Sequence, residues 1–250
     1  MTTSLKVGKL YGVGVGPGDP ELMTLKAHRI IRDCPVIAYP APDEGDSFAR
    51  AIAKDVISAS ATEICMRVPM RVDRYPAAEV YDDGATRIAA ELDAGRDVAV
   101  LCEGDPFFYG SFMYIYQRLA RAYECEIVPG VNSLAACSSA LSRPLTARND
   151  VLTVLPGPLP DDDLRARIEA ADAVAIMKVG RHLPRIRALL EDMGLIERAG
   201  YAERASLAEQ QLAPLAAAPA QAPYFSMILI YKGAENWLAQ WPSAPVGVAF

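Results

Sequence analysis

The chain has 250 residues, 52% hydrophobic and 22% charged, with a formal net charge of −6. This composition excludes extensive disorder and suffices for one large core or two smaller ones. The acidic balance argues against a general nucleic-acid binder but leaves room for a local basic pocket for an acidic metabolite. The cysteines, at 34, 65, 102, 125 and 137, form no C-x-x-C pair, and the histidines are His28 and His182. A metal site is therefore not expected, and the cysteines read as small buried hydrophobes of a reducing compartment. With no N-terminal apolar region and no run of spanning length in the sequence, a cytoplasmic protein that makes no membrane contact is expected.

Strand and helix signals alternate almost to the end. Leu10 to Val15 reads as a first strand, and Met23, Ala27, Ile30 and Ile31 share a helical face after it. Val36 to Tyr39 reads as a second strand closed by Pro40-Ala41-Pro42, and Thr62 to Met66 as a third. A long helix is expected over Ala77 to Ala94, stopped near Gly95. The apolar run Val98 to Cys102 fits a strand buried on both faces. Ser111 is placed to cap the next helix, in which Ile115, Leu119 and Ala122 share a face. Glu126 to Val128 reads as a strand stopped by Pro129-Gly130, and Ser133 to Leu141 as a small-residue helix.

After Pro144 the alternation restarts: strand Val151 to Leu155, helix Asp161 to Ala170, strand Ala173 to Met177. An amphipathic helix carries Leu183, Ile186, Leu189, Leu190 and Met193 and ends near Gly194 or Gly200. Tyr201 to Arg204 and Phe225 to Tyr231 complete the strands, with the Ala/Pro-rich Leu212 to Pro223 between them as a surface connection. The tail from Trp237 to Phe250 has no clear period. Two consecutive α/β domains, 1–128 and 129–250, fit this order.

Three turns carry the chemistry. Gly18-Asp19-Pro20, extended upstream by Gly12, Gly14 and Gly16-Pro17, follows the first strand. Neither register satisfies the dinucleotide fingerprint, because the third glycine falls on Pro17 or on Asp19, and no G-K-[ST] follows to make a P-loop. A plain strand-to-helix turn, with Asp19 as cap and Pro20 at the first helical position, explains the segment as well as a ligand loop does. Glu103-Gly104-Asp105-Pro106-Phe107-Phe108-Tyr109-Gly110 combines two carboxylates, consecutive aromatics and two glycines, and favours a ligand loop over a core turn. Pro129-Gly130-Val131-Asn132-Ser133 brings small residues to a helix start, compatible with a ligand or with close helix–sheet packing.

In this order, the segments Gly14 to Leu22 with Thr24-Leu25-Lys26-Ala27, Gly104-Asp105-Pro106 with Tyr109-Gly110, and Pro129-Gly130-Val131 resemble the tetrapyrrole methylase family, S-adenosylmethionine-dependent methyltransferases acting on corrin precursors. The resemblance runs from Leu10 to about Gly233. Cys102 to Leu119 and Val36 to Pro40 are most similar to the branch that methylates precorrin-2 at C-20 to give precorrin-3A in cobalamin biosynthesis. The resemblance implies two αβα domains with the ligand cleft between them, and a homodimer. It implies S-adenosyl-L-methionine as cofactor, a tetrapyrrole as substrate, and neither metal nor nucleic acid. Cofactor contacts carry over to Pro17, Glu103, Gly104, Asp105, Tyr109, Asn132, Ser133, Met177 and Ala205. Asn132 stands where threonine or serine is more usual, and Lys178 follows Met177 where many members have glycine.

A sulfonium leaving group needs no acid, so alignment and exclusion of water dominate the chemistry, and no Ser/His/Asp constellation is required. One proton still leaves the ring, and Glu103, Asp105 and Tyr109 are the catalytic candidates. A carboxylate-rich substrate calls for arginines, and Arg67, Arg71 and Arg74 form the candidate substrate-binding cluster. Arg118, Arg121, Arg143 and Arg148 flank the expected cleft. Alternatives are the cobalt-containing substrate of the anaerobic route, another corrin position, the RNA or modified-histidine methylation that the fold also supports, a non-catalytic tetrapyrrole carrier, and a dehydrogenase.

Overall fold

The computed structural model describes residues 6–69, 75–233 and 235. The chain forms two compact units, the first running to Asn132 and the second beginning at Ser133.

In the first unit the order is β1 (Leu10–Gly14), α1 (Leu25–Asp33), β2 (Val36–Pro42), α2 (Phe48–Ala53), β3 (Thr62–Val68), α3 (Tyr75–Asp93), β4 (Val98–Cys102), α4 (Phe112–Leu119) and β5 (Cys125–Val128). The strands make a wholly parallel sheet in the order β3-β2-β4-β1-β5. Every residue of β4 is buried. Val98, Val100 and Cys102 pack with Ile88 and Leu92 of α3 and with Phe112 and Ile115 of α4. Ala99 and Leu101 pack with Ile30 and Ile31 of α1 and Ile52 of α2. Helices thus cover both faces, as a continuous apolar strand requires. The neighbouring strands β1 and β4 send the chain to opposite faces, β1 to α1 and β4 to α4. Their carboxyl ends are therefore a topological switch point, where open α/β sheets bind ligands.

Local chemistry sets the helix starts. Asp19 Oδ1 accepts from the Glu21 N–H at 2.8 Å, and Pro20 opens a single 3₁₀ turn. Thr24 Oγ1 accepts from the Ala27 N–H at 3.1 Å and caps α1. Three features differ from the sequence reading. β2 runs on through Pro40 and Pro42, because it pairs with β4 only over Val36–Ala38 and the missing N–H groups beyond break no bond on that side. The short α2 gives no periodic signal; Ser47 caps it, accepting from the Arg50 N–H at 3.3 Å. Ser111 precedes α4 without a capping bond, since its backbone is helical (φ −73°, ψ −15°) rather than extended.

The second unit contains α5 (Ser133–Ala140), β6 (Leu152–Pro156), α6 (Asp161–Ala170), β7 (Ala173–Met177), α7 (Leu183–Asp192), β8 (Ala199–Glu203), β9 (Gln211–Pro214) and β10 (Ser226–Tyr231). Its sheet is mixed, in the order β6-β7-β10-β8-β9. β6 and β7 are parallel, β10 is antiparallel to both β7 and β8, and β9 is antiparallel to β8. The amphipathic stripe of α7 (Leu183, Ile186, Leu190) packs with Leu164 and Ile168 of α6 against Val174, Ile176 and Ile228. The expected surface connection after Leu212 instead starts within edge strand β9 and then makes a 3₁₀ turn whose Leu215 is fully buried. Gly194, at φ +67°, follows α7, whereas Gly200 lies inside β8. The tail from Trp237 lies outside the described residues. Among the described residues no helix is long and apolar enough to cross a membrane.

Candidate cofactor and substrate site

At the carboxyl edge of the first sheet, three loops meet through glycine. Gly16 and Gly104 form an antiparallel bridge: the Gly104 N–H donates to Gly16 O at 2.8 Å and the Gly16 N–H to Gly104 O at 3.4 Å. Both have positive φ, +88° and +63°. A Cβ on Gly14 would sit 2.5 Å from Gly104 O and 2.7 Å from Gly130 N, and one on Gly130 would run into Gly104 O. Only glycine lets these backbones approach so closely, and the result is a cradle of main-chain atoms at the switch point.

Asp105 fastens the cradle. Its Oδ1 accepts from the N–H groups of Phe107 and Phe108 at 2.9 and 3.0 Å, and its Oδ2 from the Gly130 N–H at 3.1 Å. Both oxygens of this candidate catalytic group are thus occupied in joining the loop after β4 to the loop after β5. Glu103, half-buried at the end of β4, differs: burial pushes its carboxyl above the ordinary value, opposed by its own N–H and that of Ala49. Tyr109 is 45% exposed at φ +56°, a strained backbone for a bulky residue. Gly110 follows it, where a Cβ would sit 2.5 Å from Asp105 O. Pro17 and Asn132, both half-buried, lie in the loops after β1 and β5. The first unit therefore brings together Pro17, Glu103, Gly104, Asp105, Tyr109 and Asn132 on the loops of adjacent strands.

In the second unit, Met177 ends β7 and Ala205 follows β8, and these two strands flank β10 with their carboxyl ends at the same sheet edge. The backbone there is strained: Lys178, Arg204 and Ser206 have φ of +57°, +48° and +70°. Non-glycine residues in the left-handed region cluster at functional sites. Residue type gave no signal for Arg204 and Ser206, because neither belongs to the types that favour this conformation. Ser226, at the start of β10, accepts from the Gly180 N–H at 3.3 Å and donates to Pro223 O at 2.7 Å. Ser133 is the first residue of α5.

Of the arginine cluster, only Arg67 is among the described residues. Arg67 is exposed at the end of edge strand β3, and its Nη1 donates to Pro42 O and Gly45 O at 3.0 and 2.6 Å. Three strand spacings separate β3 from β1, about 14 Å. Arg71 and Arg74 lie outside the described residues. Among the described residues no group of His, Cys, Asp and Glu is arranged to hold a metal ion.

Residues 9–219 match the model of the Tetrapyrrole (Corrin/Porphyrin) Methylases. The cobalamin biosynthesis protein CobIJ of Mycobacterium tuberculosis is 42% identical over 96% of this chain, which spans only 49% of that protein. A precorrin-2 C(20)-methyltransferase from Sinorhizobium sp is 40% identical over 90% of this chain and 95% of its own. The crystal structure of uroporphyrin-III C-methyl transferase from Thermus thermophilus, complexed with S-adenyl homocysteine, is 27% identical with a TM-score of 0.63, covering 89% of this chain and 97% of that one. With the family match spanning most of its length and the glycine loops in their expected places, the chain belongs to the tetrapyrrole (corrin/porphyrin) methylase family.

Proposed function

We propose that this chain is an S-adenosylmethionine-dependent methyltransferase that adds a methyl group to C-20 of precorrin-2, giving precorrin-3A in cobalamin biosynthesis. The observation that carries the reading is the cradle of Gly14, Gly104 and Gly130 at the switch point of the first sheet, in a chain 40% identical to a precorrin-2 C(20)-methyltransferase. Because a Cβ on Gly14 or Gly130 would collide with backbone and Gly104 holds a positive φ, the cradle suits a ligand read by main-chain polar groups, and it fits S-adenosylmethionine. When bound, that cofactor supplies a methyl group on a sulfonium. Pro17, Glu103, Gly104, Tyr109 and Asn132 of the first unit would hold it; the family resemblance also implies contacts at Ser133, Met177 and Ala205.

The chain's own tasks are then to orient, to exclude water and to take one proton. Asp105 positions the loop, because its oxygens are committed to three backbone N–H groups. Glu103 accepts the proton that leaves C-20: burial raises its basicity above that of an ordinary carboxylate. Arg67, Arg71 and Arg74 would bind carboxylates of the substrate; Arg67→Ala with Arg71→Ala is then expected to weaken tetrapyrrole binding and leave cofactor binding intact. The same reading has the chain acting as a homodimer in the cytoplasm, and sedimentation equilibrium tests the dimer.

The test is anaerobic incubation with precorrin-2 and S-adenosylmethionine labelled at its methyl carbon, read by mass and carbon NMR. One methyl added at C-20 is expected. A methyl at another carbon overturns the position, and transfer only to the cobalt-containing substrate overturns the metal-free route. No transfer to either, with no cofactor bound, overturns the enzyme in favour of a carrier.

A further inference from the structure

A buried carboxylate stands behind a half-exposed arginine at the carboxyl end of β8. Glu203 is 5% exposed. Its Oε2 accepts from the Tyr201 hydroxyl at 2.8 Å, and its Oε1 accepts from Arg204 Nη1 at 3.2 Å. Tyr201 is fully buried, so the hydroxyl and the carboxylate are fixed by the core beneath them. The Arg204 side chain is 40% exposed. Its backbone is held at φ +48° by the bond from its N–H to Phe225 O at 2.9 Å. Nη1 is the nitrogen that Glu203 holds; among the described residues the other two guanidinium nitrogens donate no hydrogen bond.

Other arginines are occupied differently. Arg118 bonds through all three nitrogens to Asp82, Tyr114 O and Ala78 O. Arg185 is tied to Asp161 and to Gly157 O. Arg204 alone in this comparison combines a buried partner behind it, a strained backbone beneath it and an open edge on its guanidinium. Lys178 follows β7 at the same sheet edge, and beyond it burial, with Arg185 and Arg181, disfavours the charged form of His182. A guanidinium pre-oriented by a carboxylate presents its planar fork to a planar anion, and a carboxylate is the match.

We propose that Arg204 is a carboxylate anchor for the tetrapyrrole, positioned by Glu203 and Tyr201. The inference rests on the methyltransferase reading and adds to it a substrate contact in the second unit. The carboxylate it takes belongs to the rim of the macrocycle; the amino-acid end of the cofactor carries the same group, and the experiment separates the two.

Arg204→Asn removes the charge with a residue that tolerates the left-handed backbone. Arg204→Lys keeps the charge and loses the fork. Glu203→Gln loosens the positioning. Steady-state kinetics with precorrin-2 and calorimetric titration with S-adenosylhomocysteine are run on each variant and on the unaltered protein. Arg204→Asn is expected to raise KM for precorrin-2 by at least tenfold, Arg204→Lys by somewhat less and Glu203→Gln by a few-fold, with S-adenosylhomocysteine affinity within twofold throughout. An unchanged KM in Arg204→Asn overturns the proposal, as does a loss of S-adenosylhomocysteine affinity that matches the rise in KM. If Arg204→Asn does not fold, Arg204→Lys decides, since a KM equal to that of the unaltered protein then overturns the fork. If the unaltered protein transfers no methyl to precorrin-2, the functional reading itself has failed; unchanged variants of an active protein overturn only the anchor.

Discussion

Asp105 accepts the backbone N–H of Gly130 at 3.1 Å, a bond between residues 25 apart in sequence that joins the loops after β4 and β5. The same carboxylate holds the Phe107 and Phe108 N–H groups with its other oxygen. Asp105→Asn keeps one acceptor and cannot hold both loops. The expected cost is about 2 kcal/mol of stability, read from urea unfolding, with weaker S-adenosylhomocysteine binding. Because Asp105 positions the loop, the pH dependence of kcat in this variant should match that of the unaltered protein. A displaced pH profile would make it a proton acceptor instead.

Gly130 and Gly194 separate steric from conformational demand. At Gly130 a Cβ meets the backbone of Gly104 and Gly14, which cannot yield, whereas at Gly194 (φ +67°) nothing lies within 4 Å. Gly130→Ala should cost about 3 kcal/mol or fail to fold. Gly194→Ala should cost about 1 kcal/mol, the penalty of the left-handed backbone alone. Thermal unfolding of the two variants side by side checks the difference.

Glu103 sets a pH dependence of definite sign. Its carboxyl is raised above the ordinary 4.5 by burial. Between that value and the raised one, the folded state binds more protons than the unfolded state. Its contribution to stability is therefore fully present below the ordinary value and is lost as pH rises through the raised one. Glu103→Gln should remove this segment from the stability–pH curve. If Glu103 takes the proton from C-20, kcat rises with pH through the same window in the unaltered protein and is flat and at least a hundredfold lower in Glu103→Gln.

Tyr201 and Glu203 share a bond at 2.8 Å inside the second unit. Tyr201→Phe takes a donor from a buried carboxylate and should cost about 2 kcal/mol. Glu203→Gln keeps the shape and should cost a similar amount. The double variant should be less destabilised than the sum, because the two changes remove one interaction. Urea unfolding of the four proteins completes the cycle.

The succession of elements was legible because burial imposes periods on the sequence. Val98 to Cys102 announces a strand covered on both faces, and the Leu183, Ile186, Leu190 stripe announces a helix with one core face. Where those signals are short or ambiguous, reading fails. Helix α2 has too few residues to show a period. The Ala/Pro composition after Leu212 suggests a solvated connection, yet Leu215 is buried and Gln211–Pro214 pairs with β8. Pro214 is tolerated there because β9 is an edge strand.

The candidate site divides in the same way. The glycines and the Gly-Asp-Pro turns stand out in the sequence, since backbone approach and turn formation are local demands on residue type. That Gly14, Gly104 and Gly130 lie against one another depends on β1 being placed between β4 and β5, a long-range pairing that no local pattern encodes. Arg67, named from sequence spacing, lies on an edge strand and bonds the carbonyls of Pro42 at the end of β2 and Gly45 beyond it, partners that no local pattern announces.

By itself the sequence determined the order of strands and helices, the two successive α/β units and the family, all of which rest on residue type and short-range period. Only the tertiary structure decided which strand ends are neighbours, which carboxylate is spent on holding loops and which is buried and more basic, and that Lys178, Arg204 and Ser206 hold left-handed backbones. Those properties depend on desolvation and on hydrogen bonds between residues far apart in the chain, and they exist only once the sheets have formed.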